Sequence, residues 1–156
     1  MNPVRRTLLK SIVTVGMLAS AISVSLVKPA AALVASWNKN AFSAKTIADA
    51  MKEAGYSGAA ESGDILLKVP DIAEDGAIVP LEVTSNIPGT TSIAIFAEKN
   101  PNPLVADIQF SNGALPYISM HIKMAETSFV RVAVKAGDKI YAQSKEVKVT
   151  LGGCGG

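Results

Sequence analysis

Cys154 is the single cysteine of this 156-residue sequence, and it stands between two pairs of glycines, Gly152-Gly153 and Gly155-Gly156. A thiol can attack an electrophile, be oxidised, pair with a second thiol or hold a sulfur-linked cargo. What surrounds it decides among these. Glycine carries no side chain and visits backbone regions closed to other residues. The two pairs therefore uncouple the thiol from the preceding chain and leave nothing bulky beside it. Extended, Gly152 to Gly156 span roughly 17 Å at ~3.4 Å per residue, enough to carry a thiol into the buried site of another protein. A frayed terminus is the plainer reading of such a tail. Free cysteine is more often buried than left on a tail, however, and the symmetric glycine frame favours an arm with a function.

The remaining chemical inventory is thin. His121 is the single histidine, and without cysteine neighbours it makes a poor metal site. It falls on the polar side of its segment, which suits a solvated or interfacial position. No Ser, His and Asp arrangement stands out, the acids are dispersed, and there is no CxxC or CxxCH spacing for a redox pair or a haem. Asn86-Ile87-Pro88-Gly89-Thr90 reads as a turn, not a phosphate loop. No metal and no cofactor are expected. Near Cys154 the closest cation in sequence is Lys148, so nothing local lowers the thiol's pKa from its ordinary value near ~8.5. A mostly protonated thiol argues against a self-sufficient nucleophilic enzyme. It suits a non-catalytic carrier whose thiol is activated inside other proteins.

The opening of the chain reads as a targeting segment, residues 1–32. Arg5-Arg6 forms a twin-arginine start, Ser11 to Val27 is an uncharged and mildly apolar run, and Ala30-Ala31-Ala32 offers small residues for a signal peptidase. Val4 and Leu8 replace the Ser and Phe common in the twin-arginine motif, which leaves the general export route open. A membrane span is the competing reading, but about 17 residues rich in Ser, Thr, Gly and Ala are marginal for ~30 Å of hydrocarbon. Cleavage removes Arg5, Arg6, Lys10 and Lys28, so the precursor's net charge of +2 becomes −2, with 11 basic and 13 acidic residues. The mature chain has no basic stripe for nucleic acid, and no membrane attachment is expected after cleavage. The expected compartment is the periplasm, reached by the twin-arginine route in a folded state. There a lone cysteine points to a reactive thiol or to intermolecular pairing.

The thiol needs a body to hold it. Residues 33–151 read as one carrier domain, and residues 152–156 as its arm. Leu33 to Ala54 reads as one helix, with Ala44, Ile47, Ala48 and Met51 on its apolar face, Ser43 as N-cap and Gly55 as stop. Trp37 and Phe42 should anchor it to the body. Beyond Ser57-Gly58 the period becomes two. Alternating runs begin at Ile65, Val79, Leu104, Ile118, Val130 and Ile140, with a short apolar run from Ser92 to Ala97. Turn clusters separate them. Pro80 cannot donate to a ladder and marks a strand start or an edge. About seven short antiparallel strands, one face apolar and one polar, predict a mainly β, immunoglobulin-like sandwich preceded by one helix. The last strand runs straight into Gly152 and makes a post for the arm.

These residues also carry a resemblance. Arg131-Val132-Ala133-Val134-Lys135-Ala136-Gly137-Asp138-Lys139-Ile140-Tyr141-Ala142, and then Lys145-Glu146-Val147-Lys148-Val149-Thr150-Leu151-Gly152-Gly153-Cys154-Gly155-Gly156, is similar to the SoxY family, the sulfur carriers of the sulfur (thiosulfate) oxidation system. Ala41 to Ala54 is also similar, though a short amphipathic helix is weak on its own. The resemblance implies that Cys154 is the covalent attachment point and that Gly152, Gly153, Gly155 and Gly156 form its swinging arm. It implies a heterodimer with a SoxZ-like β-sandwich subunit. It further implies loading by a c-type cytochrome complex, sulfate release by a hydrolase and, in some systems, a sulfane dehydrogenase. The alternative left by the residues alone is an exported β-sandwich assembly module whose tail cysteine forms an intermolecular disulfide.

Overall fold

The structure is a computed structural model, and it describes residues 37–151. Two short helices open this body. Helix α1 spans Lys39–Ser43 and helix α2 spans Ile47–Glu53. The single helix expected over 33–54 is thus broken. Asn38 caps α1 by accepting from the Ala41 N–H, and Thr46 caps α2 by accepting from the Asp49 N–H. Ser43, the expected N-cap, is instead the last residue of α1. Thr46 has an extended backbone, φ −121° and ψ 151°, which no continuous helix allows. Gly55 stops α2 as expected, at φ +74°. An added Cβ there would lie 3.2 Å from Lys135 Nζ, whose ammonium donates to the Ala54 carbonyl at 2.9 Å. Phe42 packs against the body. Trp37 is 68% exposed and rests on Phe42 with centroids 5.6 Å apart, so it covers its neighbour more than it anchors the segment.

Nine strands follow: β1 Ala60–Glu61, β2 Ile65–Lys68, β3 Ile72–Asp75, β4 Val79–Ser85, β5 Thr90–Ala97, β6 Leu104–Gln109, β7 Tyr117–Ile122, β8 Ser128–Ala136 and β9 Lys139–Leu151. One sheet has the order β1-β9-β8-β5-β6, with β3 also paired to β9, and the second has the order β2-β4-β7. This is the immunoglobulin-like sandwich that the alternation predicts. The seven expected runs are β2 and β4 to β9, and β1 and β3 are additional. Both pair with β9 in parallel, an exception to the antiparallel rule of the rest. Pro80 is the second residue of β4, the central strand of its sheet. It is tolerated because β2 pairs β4 only as far as Glu82.

The main core lies between the sheets. Val130, Val132 and Val134 of β8 and Ile93 and Ile95 of β5 meet Val79, Leu81 and Val83 of β4 there. A second cluster lies on the other face of the larger sheet, where Ala94, Phe96, Leu104 and Ala133 meet Ala41, Ala50, Ala54 and Tyr56. Alanines on both sides let the helices approach the sheet closely. This explains why β5 is buried on both faces from Ser92 to Ala97 and reads as a continuous apolar run instead of an alternation.

Candidate functional site

The candidate attachment residue Cys154 and the arm residues Gly152, Gly153, Gly155 and Gly156 lie outside the described residues, as do Arg5, Arg6 and the whole 1–32 segment. The described part is β9, the strand that leads to them.

Strand β9 runs for thirteen residues. Along one edge it pairs antiparallel with β8, from Lys139 opposite Ala136 to Val147 opposite Ser128. The hairpin that joins them turns at Gly137, φ +58°. The opposite edge is braced in three places. At the start, Tyr141 and Ala142 pair with Ala60 and Glu61 of β1. Midway, Lys145 Nζ donates to the Val69 carbonyl at 2.8 Å and pairs with Asp71 Oδ1 at 3.0 Å. At the end, Lys148, Val149 and Leu151 pair with Ile72, Ala73 and Asp75 of β3.

The bracing continues to the last described residue. The Gly76 N–H donates to the Leu151 carbonyl at 2.7 Å. Thr150 Oγ1 donates to the Glu74 carbonyl at 2.8 Å. The Val149 N–H donates to Thr127 Oγ1 at 2.9 Å, where β8 no longer reaches. Gly76 is itself held, since its carbonyl accepts from the Met124 N–H at 2.7 Å. Val147 is fully buried and Ala73 nearly so, and both belong to the main core. The strand is therefore held as a fixed post up to Leu151, the last described residue.

Side chains fall away from the core toward the tip. Val147 is buried, Val149 half-buried and Leu151 70% exposed. Sequence alternation correctly puts the three on one face, but it cannot say where the opposing sheet ends. The brace itself escaped sequence reading. In Ile72-Ala73-Glu74-Asp75 only Ala73 is buried, so the strand leaves no apolar period. The pair Asp75-Gly76 was the available signal, because Asp75 Oδ1 accepts from the Ala77 N–H at 2.7 Å in an Asx-type turn.

Other reactive candidates do not converge on this tip. His121 is exposed, opposite Pro80. No group of three or more metal-ligating side chains occurs among the described residues, and no described helix is long and apolar enough to cross a membrane. Among the described residues, Tyr56 is the most perturbed titratable group. Burial, first of all, and the nearby Asp107 carboxylate hold its phenol protonated far above the usual tyrosine range, against a lowering by Ser92. Its hydroxyl donates to Asp107 Oδ1 at 2.8 Å and lies 2.8 Å from Ser92 Oγ, while Lys135 Nζ sits 4.1 Å from the ring centroid. This buried cluster locks the helices to the sheet.

Fold and site together define a small β-sandwich whose last described strand is braced on both edges. The sequence profile of the family described as "Sulfur oxidation protein SoxY" matches residues 51–154, and the chain belongs to that family. Among solved structures it is similar to the sulfur carrier protein SoxY from Chlorobium limicola f. thiosulfatophilum, with 40% identity and a TM-score of 0.59 over 66% of this chain and 96% of that one. Two variants of superoxide reductase (neelaredoxin) from Ignicoccus hospitalis also match. One has 15% identity and a TM-score of 0.48 over 63% of this chain and 86% of that one. The other has 18% identity and a TM-score of 0.49 over 67% of this chain and 92% of that one. No curated protein sequence matches the chain.

Proposed function

We propose that this protein is a covalent carrier of sulfur intermediates and that the cargo is held on Cys154 Sγ. The observation that carries this reading is the family match, which runs through residue 154. The bracing of β9 up to Leu151 supports it physically. A carrier must present a thiol at a fixed place yet let it enter a narrow site, and a rigid post followed by Gly152 and Gly153 meets both demands. Gly155 and Gly156 leave the far side of the thiol equally slim.

The chemistry balances as follows. Thiosulfate is joined oxidatively to the thiol. A sulfur–sulfur bond forms between Sγ and the outer sulfur, the thiol proton leaves, and two electrons pass to a c-type cytochrome complex. Water then cleaves the terminal sulfone as sulfate and releases a proton, which leaves one sulfane sulfur on Cys154. A sulfane dehydrogenase or another acceptor takes that sulfur onward. The carrier performs none of these steps. Its thiol has an ordinary reactivity by sequence, and activation belongs to the partner sites.

The working form in this reading is a heterodimer with a SoxZ-like β-sandwich subunit. Export by the twin-arginine signal with Arg5 and Arg6, cleavage near residue 32 and a periplasmic location complete it, because only there do a loading cytochrome and a lone oxidisable thiol meet. Replacing Cys154→Ser should leave circular dichroism and thermal unfolding unchanged while abolishing sulfur loading and thiosulfate oxidation. A serine variant that still supports thiosulfate oxidation would remove the carrier claim.

A further inference from the structure

Between β6 and β7 the chain turns at Asn112-Gly113. Both residues have positive φ, 55° and 75°, and Asn112 is the one non-glycine residue with positive φ among the described residues. Two successive positive φ values are the mark of a type I′ turn, closed here by the Ala114 N–H, which donates to the Ser111 carbonyl at 3.1 Å. Residues 111–115 are all exposed. Among the described residues the Gly113 N–H makes no main-chain hydrogen bond, and a Cβ added at Gly113 would meet nothing within 4 Å. The other described asparagines are placed differently. Asn100 and Asn102 precede Pro101 and Pro103, whose nitrogens carry no proton. Asn38 is held through both atoms of its amide, since Oδ1 accepts from the Ala41 N–H at 3.1 Å and Nδ2 donates to the Glu53 carbonyl at 2.6 Å. Asn40 lies within α1. Asn86 is followed by β-branched Ile87, whose N–H donates to Ser85 Oγ at 3.3 Å.

These differences decide where an asparagine amide can react with its own main chain. We infer that Asn112 is a site of spontaneous modification, at which the folded protein converts asparagine to aspartate and isoaspartate. The Gly113 nitrogen gives its proton to hydroxide and bonds to Asn112 Cγ. The Cγ–Nδ2 bond breaks, and Nδ2 takes a proton from water and leaves as ammonia. Water then opens the five-membered ring at either carbonyl, and no electrons pass to or from another molecule. Opening at Cγ gives aspartate, and opening at the main-chain carbonyl gives isoaspartate, with the chain routed through Cβ and Cγ. Glycine favours the first step because no Cβ obstructs its nitrogen. Leaving the turn to reach the reactive geometry breaks a single exposed hydrogen bond. Either product adds a negative charge to the turn. Isoaspartate also lengthens the main chain upstream of Pro116, whose carbonyl accepts from the Ser85 N–H at 3.0 Å, and so loosens the entry to β7. That entry lies where Tyr117 pairs with Thr84, at the end of β4 away from Val79. Leu151 pairs with Asp75, just before Val79 in the chain. The site is therefore remote from the end of β9, and the inference stands independently of the carrier reading.

The test incubates the purified full chain at neutral and at mildly alkaline pH, folded in buffer and unfolded in urea. Aliquots are digested, and each asparagine-containing peptide is followed by mass spectrometry for the replacement of NH2 by OH, with isoaspartate separated from aspartate by chromatography. In the folded chain residue 112 should be modified at least about tenfold faster than Asn38, whose amide must first break two hydrogen bonds. The folded rate at residue 112 should lie within about tenfold of the rate in urea, because one hydrogen bond closes the turn. It should rise about tenfold with each pH unit, as the deprotonated fraction of the attacking nitrogen does. Asn112→Gln should abolish the change at this position, since its longer side chain would have to close a larger ring. Isoaspartate at residue 112 of the folded wild-type chain, with this pH dependence, supports the inference. A residue 112 that stays intact in the folded chain while the urea-unfolded chain reacts would overturn it, because the turn would then protect the amide. Modification of Asn38 or Asn86 as fast as Asn112 would overturn it equally, because the geometry of the turn would then select nothing.

Discussion

At the scale of single residues, the groups that shape the described body include a few buried polar contacts. Tyr56 is the clearest of them. It is fully buried and bonds Ser92 and Asp107, two residues of neighbouring strands. Nothing in the sequence marks it, because an isolated tyrosine after a helix stop has no pattern. Its energetic role follows from its surroundings. The folded chain keeps the phenol neutral at pH values where an unfolded chain, ionising near ~10, has lost its proton. Tyr56 therefore contributes stability that is whole below pH ~10 and is lost as the pH rises above it. Tyr56→Phe should cost about 1–2 kcal/mol near neutral pH, since it strands the buried Ser92 hydroxyl. It should also flatten the loss of stability above pH ~10. Urea unfolding at pH 7 and at pH 10.5 measures both, and a variant with the wild-type alkaline slope would contradict this assignment.

At the scale of elements, the alternating strands were legible because their buried faces follow the pleat. Val130, Val132 and Val134 all enter the core, as do Val79, Leu81 and Val83. What the sequence hid are the places where tertiary pairing overrides local pattern. The helix break at Ala44 to Thr46 is fixed by capping geometry, and the periodicity carries straight through it. Strand β3 has one buried residue and earns its place only by pairing with β9. That pairing holds the end of β9, so disturbing it should act locally. Ala73→Glu would bury a charge against the core face and peel β3 from the end of β9. Amide exchange at Val149 to Leu151 should then accelerate by at least about tenfold, while β5 and β8 keep their protection. Uniform loss of protection across the sandwich would mean that the brace is part of the global fold and not a separate clamp.

At the scale of the described body, the larger sheet is covered by helices on one face and by the smaller sheet on the other, and its longest strand, β9, is the last described element. Family membership accounts for this economy. A sulfur carrier needs a stable body and a fixed strand leading to its attachment site, and β9 is braced on both edges up to Leu151. The candidate site is known only as a sequence motif, Gly152-Gly153-Cys154-Gly155-Gly156, which lies outside the described residues. The bracing of β9 was not legible, because the Gly76 N–H and the Thr150 hydroxyl both donate to main-chain carbonyls, whose positions no side-chain pattern records. The central claim is that sulfur travels on Cys154. The direct measurement is the intact mass of the mature protein purified from cells grown on thiosulfate, before and after reductant, with the modified peptide located by fragmentation. The carrier account predicts increments of sulfur atoms or a thiosulfate group on the peptide that contains Cys154, removed by reductant. A bare thiol, or only a disulfide-linked dimer, would contradict it.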